Sequence, residues 1–130
     1  MTHSQQQEQD SILKEKSYAF AIRVVNMSRY LVTEEKEYIL SKQVLRSGTA
    51  IGAMIMESKR AESKPDFIHK LGIALKEAEE TQCWISLLKD TKLIDEKMYD
   101  SMSRDARELV AMLVSSVNTA KANLLKEKKK

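Results

Sequence analysis

Chemistry at a protein site needs a positioned base, a nucleophile or a set of metal ligands, and this 130-residue chain offers few. His69 is the one histidine within the expected folded region, three residues after Asp66 in Asp66-Phe67-Ile68-His69. A di-iron bundle needs two Glu-x-x-His motifs plus two further carboxylates from separate helices. Only one imperfect copy is present, and its Asp66 already serves as a helix-start residue. Cys83, beside Trp84 and without a partner histidine, is expected to be a small buried or interface residue. No Gly-rich phosphate loop, zinc spacing or dinucleotide fingerprint occurs. Catalytic residues, metals and cofactors are therefore not expected. What can be brought together is charge, with Arg46 on one helix and Glu77 and Glu80 on the next.

The elements that would position these residues are helices. Charged residues make up 32% of the chain and aromatics 5%, with 3 Gly and 1 Pro, a balance that favours long helices over a turn-rich sheet. Leu40, Val44, Gly48, Ile51 and Ile55 recur at three- and four-residue steps and form one stripe. Glycine inside a helix costs roughly 1 kcal/mol relative to alanine, so Gly48 and Gly52, one turn apart, call for a close approach by another helix. The periodicities predict helices over about 11–31, 34–61, 65–91 and 95–125, within a bundle spanning 10–127. Residues 1–9 are expected to be a disordered tail, His3 included, and Lys128 to Lys130 a basic one. The first helix starts from Asp10 or Ser11; its seam reads Tyr18, Ile22, Val25 and Arg29, with Phe20, Val24 and Met27 on a flank. Thr33 is read as the cap of the second helix. Ser63, with Pro65 and Asp66 behind it, caps the third, and Asp95 caps the fourth. Short links make consecutive helices antiparallel neighbours, so the expected fold is all-α, an antiparallel up-down-up-down four-helix bundle.

With the turn between the second and third helices near Ser63, residues equally distant from it lie at one height, since both helices rise at about 1.5 Å per residue. Gly48 then meets Ala78, Gly52 meets Ala74, and Arg46 lies level with Glu80 and within a turn of Glu77. A partly buried ion pair from Arg46 to Glu80 or Glu77 is expected.

The formal charge is +3, and Lys128, Lys129 and Lys130 account for all of it. The body is neutral, so any electrostatic footprint lies at its basic ends: Lys59, Arg60 and Lys64 between two helices, and Lys126, Lys128, Lys129 and Lys130 at the C-terminus. A single cysteine, no apolar run long enough for a membrane and no signal-peptide pattern lead us to expect a cytoplasmic protein with no membrane role.

These residues resemble a known family, the bacterial four-helix-bundle proteins related to the 23S rRNA intervening-sequence protein. Its pattern Gln-x-x-Arg-(Ser/Ala)-x-x-Ser-Ile-x-x-Asn-Ile-x-Glu reads here as Gln43, Arg46, Ser47, Ile51, Ile55 and Glu57, with Gly48 and Gly52 inside the same stretch. Asp66-Phe67 follows, then Ile73-Ala74-Leu75-Lys76-Glu77-Ala78-Glu79-Glu80-Thr81, with Trp84 after it. Two positions depart: Ala50 stands for the family's Ser and Met54 for its Asn. The resemblance covers roughly residues 12 to 125 and extends to the accessory variability determinant of diversity-generating retroelements. It implies a non-enzymatic homo-oligomer, a homopentamer by the number its relatives form, that acts as a nucleic-acid-binding or ribonucleoprotein accessory factor. RNA, DNA or a protein such as a reverse transcriptase are the partners it implies. The alternative is a protein-interaction scaffold with no nucleic-acid role.

Overall fold

The computed structural model describes residues 2–129, His3 by its backbone only. Four helices follow one another: α1 (His3–Thr33), α2 (Leu40–Ser58), α3 (Lys64–Asp90) and α4 (Glu96–Lys128). Their order in space can be read from the residues that touch. Ser28 reaches Ser41 and Ser17 faces Gly52, so α1 and α2 run in opposite directions. Arg23 reaches Ser101 and Asp105 while Lys16 reaches Glu108, and Lys89 pairs with Glu96 while Lys64 pairs with Glu127; α4 is thus antiparallel to both α1 and α3. The result is the up-down-up-down bundle expected from the pattern.

The core fills with Leu13, Phe20, Val24, Met27 and Leu31 from α1, Val44, Ile51 and Ile55 from α2, and Leu71, Ala74, Ala78, Ile85 and Leu88 from α3. Met102, Ala106, Leu109, Leu113 and Val117 of α4 complete it. On α2 this is the stripe the periodicity predicts, with Val44, Ile51 and Ile55 buried. On α1 seam and flank are exchanged: Phe20, Val24 and Met27 are buried, whereas Tyr18 is 69% and Ile22 49% exposed and Arg29 faces solvent. Both stripes have helical spacing; the buried one also carries Ser17, small enough to lie against α2.

The ends of the elements correct several expectations. Helix α1 begins at His3 rather than near 11: the Thr2 hydroxyl accepts from the Gln5 N–H at 3.1 Å and the Gln5 side chain accepts from the Thr2 N–H at 2.8 Å, a reciprocal cap. Thr33 does not cap α2. It is the last residue of α1, its hydroxyl donating to the Arg29 carbonyl, and α2 starts later because the Glu37 carboxylate accepts from the N–H groups of Ile39 and Ser41, each at 2.9 Å. Helix α2 stops at Ser58, and α4 continues to Lys128. Ser63 and Asp95 cap α3 and α4 as expected, accepting from the N–H groups of Asp66 and Met98.

Helix α3 ends in a tight reversal, with the Leu93 N–H donating to the Leu88 carbonyl at 2.9 Å and Lys92 held at φ 65°. That left-handed conformation is costly for a residue with a Cβ and free for glycine. Lys92→Gly is expected to stabilise the fold by about 0.5–1 kcal/mol. A melting temperature at or below that of the parent would contradict this.

Candidate functional site

The α2–α3 seam gathers the charged residues of the sequence motif. One Arg46 nitrogen, Nη1, lies 3.2 Å from Glu77 Oε2, and Nη2 donates to Glu80 Oε1. Trp84 Nε1 donates to the same Glu80 oxygen at 3.2 Å. Behind them the Ser47 and Thr81 hydroxyls are hydrogen-bonded at 2.8 Å in the core. The height argument therefore holds for Arg46, but the pair lies nearer the surface than expected. Arg46 keeps 50% of its side chain in solvent and Glu80 37%, while Glu77 keeps 19%. Water screens such a pair. Arg46→Met is expected to cost about 1 kcal/mol or less, with a change in emission from the single tryptophan as Glu80 is released. A loss above about 3 kcal/mol would instead mark an ion pair isolated from water.

A side chain at either glycine would point toward α1 and not toward α3. A Cβ at Gly48 would sit 2.7 and 2.8 Å from the two methyl carbons of Val24, and one at Gly52 would sit 3.5 Å from Ser17 Oγ; both neighbours belong to α1. Ala74 and Ala78 are fully buried, but neither supplies the atoms nearest to a Cβ at either glycine. The heights were reckoned correctly, but the face was not: Ser47 and Arg46 are the α2 residues turned to α3, which rotates Gly48 and Gly52 toward α1.

Of the other motif residues, Phe67 packs on the core and Met54, in place of the family asparagine, does the same. Asp66 accepts from the Glu62 N–H at 3.2 Å and from Lys70 Nζ at 3.0 Å. These bonds, that of Lys70 foremost, hold its carboxyl below the usual value and raise the Lys70 ammonium above its own. The Asp66 contribution to α3 is present above the ordinary carboxyl pKa and is lost as pH falls through the depressed one. Gln43 is half-buried and Glu57 exposed, and among the described residues neither side chain makes a hydrogen bond. Cys83 and His69 are exposed, so of the two readings of Cys83 the buried one does not hold and the interface one stays open to test. No cluster of three His, Cys, Asp or Glu side chains occurs among the described residues.

Concavities lie at both ends of the bundle. At the α3–α4 turn an open cleft of about 630 Å³ is lined by Tyr30, Glu35, Lys89, Glu96 and Met98 among others. Four of its polar groups are occupied in pairs: the Tyr30 hydroxyl donates to Glu35 at 3.0 Å, which lifts its pKa, and Lys89 pairs with Glu96 and lies 4.3 Å over the Tyr99 ring. At the opposite end a cavity of about 160 Å³ lies between Gln6, Asp10, Phe67, Ile68 and Ala120. Small-molecule sites span roughly 300–1,000 Å³, so it falls short of one.

That same end collects the basic residues. Lys59 and Arg60 follow α2, Lys64 opens α3, and Lys126, Lys128 and Lys129 close α4. All are exposed, but Lys64 is bound to the Glu127 carboxylate, an internal partner that the residue pattern did not disclose. Lys130 lies outside the described residues. Lys59, Arg60, Lys126, Lys128 and Lys129 have no ion partner within 4.0 Å among the described residues. No helix is long and apolar enough to cross a membrane.

No curated protein matches the chain. A crystal structure of a protein of unknown function from the S23 ribosomal protein family of Bacteroides thetaiotaomicron VPI-5482 is 48% identical, over 85% of this chain and 98% of that one, with a TM-score of 0.84. The model of the 23S rRNA-intervening sequence protein family matches residues 9–115, a span that holds the Arg46–Glu77–Glu80–Trp84 cluster, both packed glycines and three of the four helices entire or nearly so. The chain belongs to the 23S rRNA-intervening sequence protein family.

Proposed function

We propose that this protein is a non-enzymatic homo-oligomer that binds nucleic acid through the basic ends of its bundles. The observation that carries the reading is the gathering of Lys59, Arg60, Lys126, Lys128 and Lys129 at one end of a chain whose remaining residues are slightly acidic in balance. A single such end neutralises few phosphates. Several ends on one assembly act together, since linked contacts raise avidity without new chemistry. Oligomerisation is supported by the apolar residues left in water, notably Tyr18, Ile22 and Met56; a subunit number of five rests on the family resemblance alone. Binding of this kind reads phosphate charge and not sequence, because among the described residues the basic end carries no exposed aromatic side chain on which bases could stack, Phe67 being half-buried.

A gel shift with RNA and with DNA over a series of salt concentrations tests the reading. A mobility shift that weakens steeply as salt rises supports it, and no shift with either at low salt overturns it. The second reading, a scaffold for another protein, draws on the same exposed Tyr18 and Ile22 and would stand in that case.

A further inference from the structure

The ligands usual for zinc or iron do not gather on this bundle, among the described residues at least, but thioethers do. Of the seven methionines, Met27 of α1 and Met98 and Met102 of α4 line one pocket of about 250 Å³ between those helices, with Arg23, Asn26 and Tyr30 in its wall. Their heights agree. Arg23 bonds to Ser101 and Asp105, which sets it level with Ser103 of the antiparallel α4, midway between them. Four residues further along α1, Met27 is then level with Tyr99. Met98 is one residue's rise from that level and Met102 three, about 1.5 and 4.5 Å. Met98 and Met102 stand one turn apart on one face of α4. Met27 is 3% and Met102 2% exposed, while Met98 is half-buried and the pocket is open to solvent. Methionine commonly fills gaps in a core because it is flexible. Here three of them converge on a space that they leave unfilled.

We propose that this pocket binds one soft monovalent cation, Cu(I), through the thioether sulfurs of Met27, Met98 and Met102. Thioether sulfur is neutral and polarizable, a ligand that selects Cu(I) over the hard ions that carboxylates and carbonyls hold. The size fits an ion: the space falls below the roughly 300–1,000 Å³ of small-molecule sites. The reach fits as well. Packed helix axes lie about 8–10 Å apart, and a methionine, unbranched with three rotatable bonds, extends to the middle of that gap from either side. Charge does not oppose the ion, because Arg23, the one charged side chain in the wall, is already balanced by the Asp105 carboxylate. An ion held in this way bridges α1 and α4.

Titration of the full chain with silver nitrate in chloride-free buffer tests this, Ag(I) being a soft monovalent ion that needs no reductant. Cys83, the one thiol, is exposed on α3 and would take up silver on its own account, so every protein in the series carries Cys83→Ser. One ion per chain is expected at micromolar metal, with the methyl NMR signals of Met27, Met98 and Met102 moving and those of Met54, Met56 and Met112 staying in place. Leucine is close to methionine in volume and keeps the core packed, which circular dichroism checks. Met27→Leu, Met98→Leu and Met102→Leu are each expected to weaken binding by about tenfold or more, since even a group that only supports a metal ligand is worth about that much. Met56→Leu, at an exposed thioether on α2, is expected to change nothing. No binding at micromolar silver, signals that move at the other methionines instead, or an affinity that any one of the three pocket variants leaves unchanged overturns the three-sulfur site and leaves these methionines as core filling. Nucleic-acid binding at the basic end is independent of either result.

Discussion

Alanine at Gly48 is expected to lower the stability of the bundle by about 1–2 kcal/mol, although alanine is the better helix former by about 1 kcal/mol. The added Cβ would fall 2.7 Å from one Val24 methyl and 2.8 Å from the other, and 3.1 Å from the Val24 Cβ itself. Val24 is fully buried and β-branched, so it has no free rotamer to retreat into and the two helix backbones must part. One turn away the balance reverses. At Gly52 the nearest atom would be Ser17 Oγ at 3.5 Å, an ordinary contact, so Gly52→Ala keeps the propensity gain and is expected to stabilise by about 0.5–1 kcal/mol. For a chain of this length the two melting temperatures should depart from the parent's in opposite directions, by roughly 3–6 °C and 2–3 °C. Combining Gly48→Ala with Val24→Ala should cost less than the sum of the single changes, because the second removes what the first strikes. A Gly48→Ala variant that melts at or above the parent temperature would show that α1 and α2 are not in close contact there.

The contrast between these glycines marks the limit of what periodicity discloses. Rise per residue is common to all helices, so the level at which Arg46 meets Glu80 follows from counting away from Ser63, and the ion pair is where the count puts it. Rotation about the axis is not common. A helix buried on two sides shows two acceptable faces, and on α2 small residues occupy both: Ser47 toward Thr81, Gly48 and Gly52 toward α1. The same ambiguity exchanged seam and flank on α1. Capping was read correctly where the side chain stands at the usual offset before an apolar run, as at Ser63 and Asp95; the Thr2 pairing with Gln5 was missed because the polar stretch that follows it shows no apolar periodicity. At α2 the capping group is Glu37, reaching forward from the loop to two N–H groups, and Thr33 imitated the usual signal in its place. The basic end was legible as a list of residues, but the Glu127 carboxylate bound to Lys64 depends on where α3 begins relative to where α4 ends.

That internal pair sharpens the test of nucleic-acid binding. Each phosphate contact steepens the dependence of log affinity on log salt by about 0.9 on duplex DNA and 0.7 on single strands, so three tail contacts cost roughly 40-fold in duplex affinity between 50 and 200 mM salt. Deleting Lys126 to Lys130 removes four lysines and one glutamate, and the loss of Glu127 also releases Lys64. The truncated protein should bind more weakly at low salt and with a shallower slope, though by less than the lysine count suggests. Glu127→Gln acts in the opposite direction. It leaves every lysine in place, frees Lys64 and removes one negative charge from the basic end, so affinity at low salt should rise and the slope steepen by about one contact per bound chain. Opposite shifts from two changes at one helix end are hard to obtain from altered folding, because the Lys64–Glu127 pair is half in solvent and contributes little to stability. If the assembly binds RNA or DNA and neither change moves the slope, the contacts lie elsewhere on the bundle; if Glu127→Gln weakens binding, Glu127 supports the interface instead of competing with it, and the electrostatic account of this end is wrong.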